Sequence, residues 1–345
     1  MSFLTGSSSH SWHPIMTADT TDLSYWWNWR FLLSAIFILT SMVLASILIW
    51  KYEGCKKSRR ERRENQREPA GSLYEDEAWR TCLKGIHPTW LLAYRIVAFI
   101  ALLALIVTNV VLDGGGIFFF YTQWTFSLVT IYFGIGSSLS LYGCYKYRNR
   151  VGEDAADHVR DAERGTYVAP TLGENAETSN MYKSFTDEEC PSRKGAGLYV
   201  YIFQVIYQMC GGAVLLTDCV FWLVLYPFLT ARDYKLNFMM VSMHSFNVVF
   251  LLGEAILNCL RFPLFRIAYF VLWTGIFVIC QWIIHACKNM WWPYPFLDLS
   301  SSYAPLWYVG VGLMHVPCFG VFALIIRLKH LWFSRSFPES FQIER

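Results

Sequence analysis

Seven long apolar runs constrain this chain more than any other feature. They are Phe31–Trp50, Trp90–Leu112, Thr122–Tyr145, Leu198–Phe228, Asn237–Leu260, Leu264–Cys287 and Leu306–Ile326. A helix needs ~20 apolar residues to cross the hydrocarbon layer. Inside lipid every backbone polar group must be satisfied within the protein, which leaves helices or closed barrels as the spanning structures. The expected fold is therefore an all-α polytopic membrane protein, a seven-transmembrane-helix bundle. Composition agrees: of 345 residues 54% are apolar and 16% charged, too little charge to cover a soluble surface of this size. The fourth run is long enough to tilt or project from the membrane, and its Pro227 suits a helix end. Aromatic pairs such as Trp26-Trp27 and Trp291-Trp292 sit at run edges, where amphipathic rings prefer the headgroup layer.

Charge placement sets the expected orientation. Lys56, Lys57, Arg59, Arg60, Arg62, Arg63 and Arg67 follow the first run, and Lys146, Arg148 and Arg150 the third. Arg261 and Arg266 join the fifth to the sixth, and Arg327, Lys329 and Arg335 lie in the tail. These basic groups fall on one side only if there are seven spans, with a luminal or extracellular N-terminus and a cytosolic C-terminus. The expected organisation is a luminal or extracellular segment 1–30, a transmembrane bundle 31–326 and a cytosolic tail 327–345. Within the bundle lie a basic cytosolic loop, 51–89, and a disordered, acidic cytosolic loop, 148–197. The first thirty residues are polar, so the first run reads as an anchor and not as a cleaved signal. The secretory pathway is implied, in the endoplasmic reticulum or the plasma membrane.

Motifs for other chemistries are missing. Ten cysteines form no CxxC pair, so neither a disulfide framework nor a thiolate metal site is expected; Cys55 and Cys144 lie where palmitoylation occurs. There is no Walker loop, HExxH or GxSxG, and Gly114-Gly115-Gly116 reads as a luminal turn. The expectation is no metal, no cofactor and no nucleic acid. Membrane lipids are the expected partners: the basic run near Lys56 suits anionic headgroups, although its first role is to set topology. No feature identifies a protein partner.

Polar residues inside the apolar runs carry the functional signal, because lipid penalises each of them. In the fifth run His244, Asn247, Glu254 and Asn258 recur on one side of a helix. Gln204, Gln208, Gly211 and Asp218 share a face of the fourth, and Thr274, Gln281 and His285 a face of the sixth. The seventh carries His315, and the third opens with Thr122 and Thr125. With ~1.5 Å of rise per residue, most of these groups lie in the outer half of the bilayer, as a pocket entered from the outer leaflet requires. Buried Gln and Asn commonly do no more than join helices. Asp218 is different: a buried carboxyl must be protonated or paired, with His244 or His315 as the available partners.

The run from Phe120-Tyr121-Thr122-Gln123-Trp124-Thr125-Phe126 to Tyr132-Phe133-Gly134 resembles a motif of the androgen-induced/androgen-dependent membrane protein family. Met243-His244-Ser245, Val220-Phe221-Trp222, and His285 followed by Met290-Trp291 and Tyr294-Pro295-Phe296-Leu297 match that family in the same order. Over nearly the whole chain, the closer likeness is to the rolling stone-like branch. The first family implies an intramembrane threonine hydrolase that splits esters between fatty acids and hydroxy fatty acids. By matching position Thr122 would be the nucleophile and His244 its base. Asn247 or Asp218 would orient the imidazole, and Thr125, one turn on, is the alternative nucleophile. Gln281, His285 and His315 are candidate supporting residues. Gln123 stands where the family has an apolar residue, and Asp218 has no counterpart in its pattern.

A lipid ester is thus the expected substrate. Three alternatives stand beside the hydrolase: a non-catalytic scaffold in membrane fusion or trafficking, a transporter with an Asp218–Glu254–histidine relay, and a haem protein using His244 and His315. A scaffold predicts that the polar stripes pair among themselves. A hydrolase predicts a cavity shared by Thr122 and His244.

Overall fold

The computed structural model describes residues 18–54, 74–164, 195–229, 236 and 238–342. Seven helices in it are long and apolar enough to cross a membrane, and among the described residues there is no strand ladder, only isolated β-bridges. The helices are α1 (Trp29–Ile49), α2 (Pro88–Asp113), α3 (Tyr121–Arg164), α4 (Leu198–Val220), the pair α5 (Phe238–Met243) and α6 (Phe246–Leu257), α7 (Ile267–Cys287) and α8 (Ala304–Ser336). The basic run at Lys56–Arg67, the chain before residue 18 and the acidic segment 165–194 lie outside the described residues.

Helix α4 is the axis of the bundle. More than half of its apolar window is buried, against about a tenth for α1. It packs on α3, α6, α7 and α8, whereas α1 covers only α7 and α8. Two adjacent glycines permit this central position. A Cβ on Gly212 would stand 2.5 Å from Cδ1 of Phe270 on α7, and one on Gly211 2.7 Å from Cδ1 of Phe322 on α8. Small residues let membrane helices approach where no hydrophobic force drives them together. We expect Gly212→Ala to destabilise the bundle by about 1–3 kcal/mol through overpacking. Gly310→Ala, whose added methyl meets nothing within 4 Å, should leave the thermal unfolding midpoint unchanged or raised.

The two ends of the bundle are closed by different segments. At one end the Tyr25 hydroxyl donates to Asp298 (2.8 Å) and accepts from Trp292 Nε1 and from the Leu299 amide, each at 3.0 Å. Arg30 donates to the Ser300 carbonyl at 2.6 Å beside it. At the other end bridges join Thr81 to Asn258, Leu83 to Phe341 and Tyr74 to Gly195. The segments that the charge pattern assigns to one side of the membrane therefore touch one another.

Three local features depart from the simple reading of the apolar runs. Helix α3 continues to Arg164, into the stretch read as lacking periodicity. Its Ala155, Ala156 and Ala162 are strong helix formers, and elongation from an existing helix avoids the cost of nucleation. Pro227 sits inside a wide-wound turn, Phe221–Leu229, that prolongs α4. The fifth run, expected as one helix, breaks at His244-Ser245. The cause of the break is side-chain competition. The Asn247 carbonyl oxygen takes the Val248 N–H at 2.9 Å, and the Trp222 indole donates to the His244 carbonyl at 2.9 Å. In a continuous helix that amide and that carbonyl would bond each other.

Candidate functional site

Thr122 is the second residue of α3, in the first turn, where helix N–H groups lack intrahelical partners. The Tyr294 hydroxyl supplies one: it accepts from the Thr122 N–H at 3.4 Å and lies 3.4 Å from Thr122 Oγ1. Burial pushes the Tyr294 phenol up, so it keeps its proton and stays a donor. Phe120 packs edge-on against the Tyr294 ring, fixing the loop over the helix start.

His244 is held by three constraints. Its ring stacks on Phe221 with centroids 3.7 Å apart and planes 4° from parallel. Its carbonyl is pinned by Trp222 at the helix break. Its Nδ1 faces Asp218 Oδ1 at 3.7 Å, just beyond hydrogen-bond length, and makes no other bond. Asp218 is oriented in turn by Thr217 Oγ1 at 3.4 Å and Asn247 Nδ2 at 3.5 Å. Of the two partners open to Asp218, the fold brings His244.

Thr122 and His244 face one cavity of about 50 Å³, together with Asn109, Asp113, Gln123 and Tyr294 and the apolar Phe120, Phe221, Leu225, Met239, Met240 and Met243. A water needs ~10–15 Å³ on this measure, so the space takes a few waters or one small polar group. A second void of about 60 Å³ shares Thr122, Leu225 and Tyr294 with the first. It also shares Thr274, Val278, Phe296, Leu297 and Val311 with a third, a groove of about 600 Å³ between α1, α7 and α8. The groove walls are almost wholly apolar, from Phe37 to Leu48 along α1 and from Trp307 to Val316 along α8. Neighbouring voids thus share walls, from the Thr122–His244 pair to the flank of the bundle.

The other candidates lie away from the His244 cavity. His315 Nε2 meets Thr274 Oγ1 at 2.8 Å, which meets the Tyr121 hydroxyl at 2.7 Å, and His315 Nδ1 faces the Val311 carbonyl at 3.0 Å. These residues line the second and third voids and not the cavity that holds His244. His285 stacks on Trp292 at 3.7 Å and bonds the Gln281 carbonyl at 2.8 Å, while Gln281 donates to the Phe119 carbonyl at 3.0 Å. Both brace loops. Thr125 is fully buried and lies on none of these cavity walls, which separates it from Thr122.

Glu254 and Asn258, on the same stripe as His244, belong to a different site. Arg95 of α2 bonds Glu254 at 2.5 Å, both side chains fully buried, and reaches Ser140 Oγ and the Ala78 carbonyl at 2.6 Å each. Tyr132 and Asn258 also donate to Glu254, at 2.9 and 3.2 Å. Beside them Arg266 pairs with Glu53 at 2.9 Å and with Gln208 at 2.8 Å. These networks join loops to helices at the end opposite Thr122. A relay from Asp218 to Glu254 is not assembled, because Glu254 is committed to Arg95.

Sequence reasoning passed over Asn109, Tyr294 and Arg95 as site residues. Arg95 and Asn109 interrupt an otherwise greasy run, a signal of the same kind as His244. No protein-family model, curated protein or solved structure matches this chain. What the fold shows plainly is a multi-pass membrane architecture of seven apolar helices.

Proposed function

We propose that this protein is an intramembrane hydrolase of lipid esters, of the threonine type that the resemblance to androgen-induced/androgen-dependent membrane proteins implies. Thr122 is the nucleophile, His244 the general base and Asp218 the group that orients the imidazole. The single observation that carries the reading is the shared cavity: residues 122 places apart in sequence face one small chamber, with a carboxyl group behind the histidine. A hydroxyl needs such a base to attack a carbonyl, and the base needs an orienting partner. The 3.7 Å gap to Asp218 is of the kind that tightens when substrate binds. The series of voids favours a lipid: its acyl chain enters sideways from the membrane into the groove, leaving the ester at Thr122. The chamber lies at the end that carries residues 18–30 and the 288–303 loop, the outer or luminal side if basic loops face the cytosol. The membrane is then that of the endoplasmic reticulum or the cell surface.

The reading is tested on purified full-length protein in lipid nanodiscs with a long-chain acyl ester and a fluorophosphonate probe. Wild type should turn over the ester and take the label. Thr122→Ala should lose both, and Thr122→Ser should keep both. Turnover that persists in Thr122→Ala overturns the assignment.

A further inference from the structure

Asn109 stands on α2, in a run of Val, Leu and Ile, one turn before the helix end at Asp113. It is 1% exposed, and neither its amide nitrogen nor its carbonyl oxygen has a hydrogen-bond partner. An unpaired buried amide costs about 1–3 kcal/mol for each group left bare, so it is expensive unless something else meets it. The side chain faces the cavity that holds Thr122 and His244. Gln123 lines the same wall, is 2% exposed, and its carbonyl oxygen is also without a partner. The bare amide of Asn109 and the bare side-chain oxygen of Gln123, on one chamber of about 50 Å³, describe a place for a small polar group.

We propose that Asn109, with Gln123 beside it, forms the oxyanion-binding wall of this site, the Asn109 amide N–H groups meeting the carbonyl oxygen of the lipid ester. The proposal rests on the hydrolase reading above. In the step it serves, His244 takes the Thr122 hydroxyl proton as Thr122 Oγ1 bonds to the carbonyl carbon. The carbonyl π pair moves onto oxygen, and the amide N–H groups stabilise that charge. The pair then returns, the bond to the alcohol oxygen breaks, and the leaving alkoxide takes the proton from His244. Water, deprotonated by His244, attacks the acyl-threonine to give a second oxyanion at the same wall; as the pair returns the carbon–Oγ1 bond breaks, Thr122 Oγ1 takes the proton back from His244, and the carboxylic acid leaves. The Asn109 amide meets the carbonyl more strongly as its charge grows, so it lowers the barrier and adds little to ground-state binding.

The test uses full-length protein in nanodiscs with Asn109→Leu, Asn109→Asp, Gln123→Leu and Thr122→Ala. Asn109→Leu should lower kcat about 10²–10³-fold with KM nearly unchanged. Affinity for a long-chain trifluoromethyl ketone, which forms a tetrahedral adduct with the nucleophile, should fall by a similar factor. Affinity for a non-reactive alkyl ether of the same chain length should stay put, which a merely structural residue would not achieve. Asn109→Leu should also melt at or above the wild-type temperature, because it removes a bare amide. Asn109→Asp, an acceptor where a donor is needed, should lose turnover as fully, and Gln123→Leu gives an independent reading should either Asn109 variant fail to fold. If Thr122→Ala is inactive while Asn109→Leu and Gln123→Leu keep kcat within about threefold, this proposal fails and the hydrolase reading stands. If wild type and Thr122→Ala do not differ, both fall.

Discussion

Arg95→Met should destabilise the folded bundle by about 3–5 kcal/mol, the range for removing one partner of a buried ion pair. The cost arises on the residue left behind. Glu254 is wholly buried, and Arg95 holds it at 2.5 Å and also bonds it through Nε at 3.1 Å. Without the guanidinium only Tyr132 and Asn258 remain as donors, too little for a carboxylate out of water. Glu254→Leu strands the guanidinium in the same way, although Ser140 and two carbonyls still accept from it. The double variant Arg95→Met/Glu254→Leu should be closer to wild type than either single change, since an apolar pair of similar volume needs no compensation. Thermal unfolding followed by tryptophan fluorescence reads all three. An unchanged midpoint in Arg95→Met would show that the network does not hold the loop 74–87 end of the bundle together.

His244→Ala should lower ester turnover about 10²–10⁴-fold, the contribution of a positioned general base. The size of the loss follows from how firmly the ring is placed. Phe221 fixes its plane, and Trp222 fixes the backbone that carries it. Asp218→Asn retains shape but sets an amide that can donate where a carboxyl faces Nδ1, which disfavours the tautomer that leaves Nε2 as the base, so its activity should fall between wild type and His244→Ala. Trp222→Phe should release the His244 carbonyl and reduce kcat with little effect on thermal stability. A His244→Ala protein that hydrolyses the ester at the wild-type rate would remove the imidazole from the mechanism, whatever Thr122 does.

The seven spans, and which loops share an end of the bundle, were legible in the chain. Each of these depends on local composition: about twenty apolar residues must cross as a helix, whatever surrounds them. Thr122, His244 and Asp218 were also singled out by residue type, two of them through the family likeness. The depth at which His244 and Glu254 lie was also legible, since ten residues of helix separate them along the axis. The break at His244-Ser245 was not legible: it involves Asn247 and Trp222, the latter a residue on another element. Asn109, Gln123 and Tyr294 gained their place in the chamber only when three separate segments met. Periodicity along a sequence states which side of a helix avoids lipid. Which groups then meet across that side is set by side-chain reach and by the close approach that residues such as Gly211 and Gly212 permit, and those are properties of the packed bundle alone.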